Sequence, residues 1–270
     1  MKKNVLLSLL IIIIVSCSKS DKEITSNYSN LLSLPVKTIR KNSTGTIIRT
    51  SHFEYDNLKR RKKVTYLDID PNQNAVETLN YENGKIIRYF DWDDPSVPLQ
   101  KYVYYYDENG IKNEELYQDA NLYYTYEWYY RPDGGKEKRV RNPDQAGTLV
   151  MTFYYRFDSN GNLERVVKDN VNPSLEDIEY TFTNYDTKLR SVVSPVHELI
   201  TFNLLDVEAT KLTSPNNPVN NTKKSLVSNV VTESYKHVYT YNAKGQVIED
   251  KVYTFNDVLF QTVSIEYQDF

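Results

Sequence analysis

Through most of the chain, aromatic and apolar residues alternate with polar ones at a spacing of two. Phe53-Glu54-Tyr55, Leu79-Asn80-Tyr81, Tyr155-Arg156-Phe157 and Tyr239-Thr240-Tyr241 each put two large side chains on one face of an extended segment and a polar one on the other. The alternation breaks at regular intervals on Asp, Asn and Gly. The clearest breaks follow Tyr104-Tyr105-Tyr106-Asp107, Tyr155-Arg156-Phe157-Asp158 and Tyr239-Thr240-Tyr241-Asn242, each with Gly three residues after the Asp or Asn. Looser copies lie at Phe53 to Asp56, Leu79 to Gly84, Trp128 to Gly134 and Tyr185-Asp186.

The Asp-like positions fall at 56, 82, 107, 133, 158, 186 and 242, so the spacing is close to 26 residues, and the last gap holds two units. Its midpoint coincides with the turn cluster Ser214 to Pro218, which fits a degenerate eighth copy. A second set of turn residues lies half a repeat away, at Asn42 to Gly45, Asp70 to Asn74, Asp93 to Pro98, Asp119 to Asn121, Asn142 to Gly147 and Asp169 to Pro173. Gly, Asn and Asp supply the positive φ angles of tight hairpins, and Asn83-Gly84 is the strongest such signal. Two turns per unit mean two strands per unit. The pattern predicts an all-β chain, a long antiparallel meander of roughly 14 to 17 strands of about 7 to 11 residues. The stretch from Pro195 to Ala209 interrupts it, with Leu199, Ile200, Leu204 and Leu205 spaced like a loose helical face or a buried irregular strand.

The aromatic pairs before each Asp-like position share a face, and their expected role is core. The opposite face carries Glu54, Asn80, Arg156 and Thr240, but also Tyr105, Tyr129 and Tyr154. Those three are candidates for a sugar-stacking platform, with ordinary cross-strand packing as the alternative. A one-faced meander of this length has to cover its aromatics, and strand twist favours rolling up. A strongly curved or barrel-like sheet is the first expectation, a sandwich the second and a flat layer the third.

The ends of the chain change the picture. Met1-Lys2-Lys3-Asn4 followed by the apolar run Val5 to Val15 has the form of a signal peptide, too short for a permanent span of roughly 20 residues. The run ends at Ser16 and Cys17, the one cysteine in 270 residues, and Ile14-Val15-Ser16-Cys17 resembles the lipobox of bacterial lipoproteins. That resemblance implies cleavage before Cys17 and acylation there, with residues 17–33 as a polar tether and residues 34–270 as the repeat domain. Loss of residues 1–16 removes Lys2 and Lys3 and leaves 31 of the 33 basic residues against 36 acidic ones, a balance that does not suit nucleic acid. With no second cysteine, neither a disulfide, a thiol nucleophile in the domain nor a cysteine metal site is available.

Other chemistry is sparse. His52, His197 and His237 are far apart in sequence, and no phosphate-cradling Gly loop or Gly-x-Ser-x-Gly elbow is present. Asp91, Asp93 and Asp94 around Trp92 would suit a glycoside-cleaving acid pair, and Asp68, Asp70 and Asn72 would suit calcium; both sets also fit ordinary turns. No cofactor or metal is expected.

The repeats resemble the YD repeats of Rhs-type proteins, and the layout resembles Bacteroidota envelope lipoproteins of unknown function that carry such repeats. The likeness is best from Ser214 to Pro218 through Tyr239 to Gly245 and on to Tyr267, and it covers most of residues 35–270. Lys59 stands where Gly is usual, Lys188 and Leu189 replace the turn residues after Asp186, and the 214–218 copy lacks the aromatic pair. The resemblance implies an all-β fold in the cell envelope and carries no agreed activity. The leading expectation is a non-enzymatic binding or scaffolding lipoprotein of the outer membrane, displayed on the cell surface in preference to the periplasmic face. Its partners would be glycan or envelope protein, with Tyr105, Tyr129, Tyr154 and Trp92 as candidate contacts. The alternatives are a polysaccharide hydrolase and a structural spacer.

Overall fold

The computed structural model describes residues 33–107, 110–188 and 214–270. They form sixteen antiparallel strands and two single-turn 3-10 helices, Pro71–Gln73 and Pro143–Gln145. The strands are β1 (Ser33–Asn42), β2 (Ile47–Tyr55), β3 (Arg61–Asp68), β4 (Ala75–Glu82), β5 (Lys85–Trp92), β6 (Gln100–Asp107), β7 (Gly110–Gln118) and β8 (Asn121–Tyr130). They continue with β9 (Lys136–Asn142), β10 (Thr148–Phe157), β11 (Leu163–Asn170), β12 (Ile178–Tyr185), β13 (Pro218–Ser225), β14 (Val231–Tyr241), β15 (Val247–Thr254) and β16 (Leu259–Asp269). Each pairs with its sequence neighbours, and β1 pairs with β16 from Ser33↔Asp269 to Asn42↔Gln261, so the meander closes into a barrel. An even number of strands brings the last one back antiparallel to the first, and closure leaves no unpaired edge. The barrel-like expectation holds. The irregular stretch 195–209, the signal segment and Cys17 lie outside the described residues.

The two predicted sets of turns occupy the two ends of the barrel. At one end, the Asp or Asn of the repeat folds the chain by accepting amide protons from the second and fourth residues after it. Asp56 accepts from Leu58 and Arg60, Asp158 from Asn160 and Asn162, and Asn242 from Lys244 and Gln246, all at 2.8–3.0 Å. The third residue after it is left-handed: Gly161 has φ +81° and Gly245 +77°, while Lys59 holds the same conformation at +62°. The missing glycine therefore does not change the turn, although an L-residue there costs roughly 1–2 kcal/mol.

Register shifts fall one residue before these turns, at Glu54/Tyr55, Tyr105/Tyr106, Arg156/Phe157 and Thr240/Tyr241. Such bulges strengthen local twist, so the repeat carries its own curvature. Six tyrosines at or near the turn end of their strands donate their hydroxyls to the main-chain carbonyl at or near the start of the preceding strand, and of these Tyr55 lies at a register shift. The pairs are Tyr55 to Pro35 (2.7 Å), Tyr81 to Arg61 (2.6 Å), Tyr130 to Ile111 (2.9 Å), Tyr185 to Leu163, Tyr239 to Pro218 (2.7 Å) and Tyr267 to Val247 (2.9 Å). On β6, Tyr106 reaches the Glu82 carbonyl at 3.4 Å, and on β10 the place belongs to Phe157, which has no hydroxyl.

Strand alternation divides the wall in two. Inward lie the aromatics and aliphatics, with one contiguous cluster from β4 to β12 that includes Leu79, Tyr104, Trp128, Phe153, Tyr155 and Phe182. Burying each such side chain contributes roughly 1.5–3 kcal/mol. Outward lie polar and charged residues tied into ion pairs, among them Arg139–Glu137 (2.7 Å), Arg141–Glu127 (3.0 Å) and Lys37–Glu266 (2.9 Å).

Candidate functional site

The candidate platform residues Tyr105, Tyr129 and Tyr154 fall on the outer wall, because each alternates with a buried inward neighbour: Tyr104, Trp128 and Tyr155. Cross-strand register then sets their spacing. Tyr129 and Tyr154 both pair with Glu137, so they flank it on either side of β9. Two strand spacings place them roughly 10 Å apart. Tyr105 pairs with Asn113, which pairs with Glu127, one row further along.

Glutamates hold the phenols of Tyr105 and Tyr129. The Tyr129 hydroxyl donates to Glu127 Oε2 at 3.0 Å, and Tyr105 and Tyr117 both donate to Glu115 Oε2, at 2.9 and 2.8 Å. Basic groups lie over two of the rings, Arg139 at 4.3 Å from the Tyr129 centroid and Lys101 Nζ at 4.0 Å from that of Tyr117. Partial burial and the Glu115 hydrogen bond push the Tyr105 phenol up, and the same causes push Tyr117 up to about 12. Burial would raise Glu127, but its bonds from Arg141 and Tyr129 hold the carboxyl below the usual range. The Tyr105 and Tyr117 phenols stay neutral and the Glu127 carboxylate ionised at neutral pH. The result is a strip across β6–β10 of exposed or half-buried rings bordered by fixed hydrogen-bond donors and acceptors. Sugars are recognised by such a combination, with ring stacking on aromatic faces and hydroxyls on the flanking polar groups.

Trp92 does not join this strip. It pairs with the buried Ala75 on the inner wall and packs on Phe90 at 4.9 Å, with its indole N–H buried and unpartnered among the described residues. Asp91 points outward and is exposed, so adjacent positions of one strand separate this carboxylate from the indole. Asp94 folds the following turn by accepting from the Ser96 amide (2.9 Å) and hydroxyl (2.7 Å), which hold its carboxyl down. Asp68 pairs with Arg49 at 2.8 Å, and Asp70 caps the first 3-10 helix through the Asn72 amide. Asp94, Asp68 and Asp70 are thus committed to turns and an ion pair, while Asp91 and Asp93 are exposed. No group of three metal-ligating side chains occurs among the described residues. His52 is outward, His237 is inward beside Asp250 (3.0 Å) and Asn221 (3.3 Å), and His197 lies outside the described residues.

The inner wall holds charges that the aromatic repeat had hidden. Glu77 accepts from Arg61 at 2.9 Å, Arg88 at 3.0 Å and the Tyr66 hydroxyl at 3.0 Å. Burial alone would raise this carboxyl, but the two guanidiniums and the phenol overcome it and hold Glu77 below the usual range. Next along the wall, Glu114 accepts from Trp128 Nε1 at 2.5 Å, and Lys138 lies 5.0–5.4 Å from the ring centres of Tyr126, Trp128 and Phe153. Burial pushes Glu114 up and Lys138 down, and each restrains the other. A signal for them existed in the sequence: Glu77 lies between Ala75 and Leu79, and Arg88 between Ile86 and Phe90, at inward positions of an alternating strand. At the turn end, a polar cleft of about 630 Å³ lies between the β10–β11 turn and β12, lined by Asp158, Asn162, Glu164, Asp186 and Asn216. Asp158 and Asp186 are saturated there by turn amides and by Asn217.

No protein-family model matches the chain, and no curated protein matches it in sequence. Solved structures do match in fold. A porin-like protein from Bacteroides vulgatus ATCC 8482 superposes with a TM-score of 0.55 at 11% identity, over 86% of this chain and 98% of that one. A porin-like protein from Bacteroides uniformis ATCC 8492 gives 0.54 at 12% identity, over 87% and 96%. At these identities the likeness is one of fold: a closed antiparallel barrel of similar extent.

Proposed function

We propose that this chain is an envelope lipoprotein, held at the outer membrane by acyl chains on Cys17, whose YD-like barrel stands in water as a non-enzymatic binding module. Glycan is the first ligand class and an envelope protein the second. The observation that supports this reading is the outer wall. Glu115, Glu127, Arg139 and Lys251 sit in mid-strand on the outward face, where a bilayer-spanning barrel needs an apolar band roughly 25 Å tall. A basic residue facing lipid at mid-depth costs about 2–4 kcal/mol. The porin-like description of its structural neighbours therefore transfers to this chain as a barrel and not as a lipid-embedded pore. A water-facing barrel needs a separate means of attachment, and the lipobox-like segment at Cys17 supplies one; several acyl chains on one residue suffice for stable anchoring.

The strip of Tyr105, Tyr129 and Tyr154 is the binding face in this reading. The test is an array of bacterial and host glycans probed with the wild-type chain and with a Tyr105→Ala, Tyr129→Ala, Tyr154→Ala variant. Saturable binding that the triple variant loses supports the reading and locates the face. Absence of binding to every glycan removes that ligand class.

A further inference from the structure

The ladder between β11 and β12 is cut short. β10 pairs with β11 as far as Phe157↔Leu163, and β12 pairs with β13 as far as Tyr185↔Pro218, but β11 and β12 pair only as far as Arg165↔Thr181. Beyond that pair the two strands part, and the polar cleft of about 630 Å³ lies along the gap. Side chains stitch the gap where the ladder is missing: the Tyr185 hydroxyl reaches across to the Leu163 carbonyl, and Ser214 Oγ accepts the Leu163 amide at 2.9 Å. Phe182 and Thr183 both continue the ladder with β13, through Asn221 and Asn220. Successive residues of an antiparallel strand direct their main-chain groups to opposite sides, so one of these two turns its amide and carbonyl into the gap. Asn184 follows in the left-handed region at φ +57°, a conformation that Asn tolerates better than most side chains, and it lines the cleft.

We propose that this cleft is a binding site for an uncharged saccharide of one or two rings. Its carboxylates are already committed. Asp158 and Asp186 are saturated by turn amides and by Asn217, and Glu164 pairs with Arg156 at 3.0 Å, so neither a cation nor an anion meets an uncompensated charge. The groups left over are neutral. The side chains of Asn160, Thr183, Asn184 and Thr187 line the cleft without a polar partner among the described residues, and the free edge of β12 adds main-chain groups. Carboxamides and hydroxyls each donate and accept, as the hydroxyls of a sugar do. The volume falls within the roughly 300–1,000 Å³ of small-ligand sites. An extended peptide suits the gap less well, because the free edge runs only from Phe182 to Asn184 before Asp186 joins the turn through Asn217. The strip of Tyr105, Tyr129 and Tyr154 lies in the outer wall across β6–β10, so the two sites stand or fall separately.

The test titrates chitobiose, cellobiose, maltose and lactose into the full chain and follows each sugar by saturation-transfer NMR. At least one is expected to bind saturably. Asn184→Gly keeps the left-handed backbone and removes the carboxamide, and Thr183→Val removes an exposed hydroxyl at constant shape; together they are expected to weaken that sugar by about tenfold with the urea midpoint unchanged. Asn160→Ala, at an exposed turn position, weakens it independently, and the Tyr105→Ala, Tyr129→Ala, Tyr154→Ala variant binds it as the wild type does. Failure of all four sugars to bind, binding indifferent to the three cleft substitutions, or binding lost in the tyrosine variant overturns the proposal. A disaccharide carrying a carboxylate or an ammonium that binds as tightly overturns the uncharged class.

Discussion

At the residue scale, the inner-wall clusters around Glu77 and around Glu114 are of opposite character. Glu77 is held below its usual range by two guanidiniums, so its contribution is present above the unfolded carboxyl value of about 4.3 and is lost as pH falls through the lower folded value. Glu77→Gln strands Arg61 and Arg88, and loss of a buried partner costs roughly 3–5 kcal/mol. Urea denaturation at pH 7 and at pH 3 is expected to show that difference shrinking in acid; a pH-independent difference would assign it to packing alone. Glu114 and Lys138 are each disfavoured by burial, in the directions that neutralise them. Lys138→Met alone leaves Glu114 uncompensated beside Trp128 and should destabilise by a similar roughly 3–5 kcal/mol. Lys138→Met with Glu114→Gln keeps an acceptor for the indole, and should recover most of that loss in the same denaturation series.

At the scale of the element, the unit is a hairpin whose turn and tyrosine act together, with a bulge added in the copies at Tyr55, Tyr106, Phe157 and Tyr241. The Asp or Asn fixes the turn, the bulge adds twist, and the hydroxyl ties the end of one strand to the start of the strand before it. Phe157 is the natural gap in this series. Phe157→Tyr is expected to raise stability by about 0.5–1.5 kcal/mol by reaching the carbonyl at the start of β9, and Tyr81→Phe to lower it by at least as much. A shift of urea midpoint at constant slope is the readout, and two unchanged midpoints would deny the hydroxyls any role. Much of this element was legible in the sequence, since period-two alternation and 26-residue spacing depend only on which residue types recur. Even the atypical copy at Lys59 kept its turn, because Asp56 fixes the backbone. The hydroxyl contacts were not legible, for their acceptors are main-chain carbonyls that any residue provides: Pro35, Arg61 and Leu163 serve alike. Trp92 illustrates the same limit: neighbouring Asp residues suggested one site, but strand alternation points Asp91 and Trp92 to opposite faces of the wall.

For the whole molecule, closure between β1 and β16 joins residues more than 200 positions apart, a pairing that no local pattern encodes. Curvature was foreseeable from the need to cover one aromatic face, and the expected range of roughly 14 to 17 strands contains the sixteen found, but a range does not fix the even number that lets the ends meet antiparallel. Once closed, the barrel carries charged residues in mid-strand on its outer wall, where a wall that faces lipid is apolar. In the proposed reading, membrane attachment then rests on the N-terminal segment. The decisive measurement exchanges residues 1–17 for a cleavable export signal without a lipidated cysteine and follows the chain by cell fractionation. The account predicts that the wild-type chain sediments with the membranes and that the exchanged form is soluble and folded. An exchanged form that stays in the membrane fraction and resists extraction at high pH would contradict it, and would place the barrel wall itself in the bilayer.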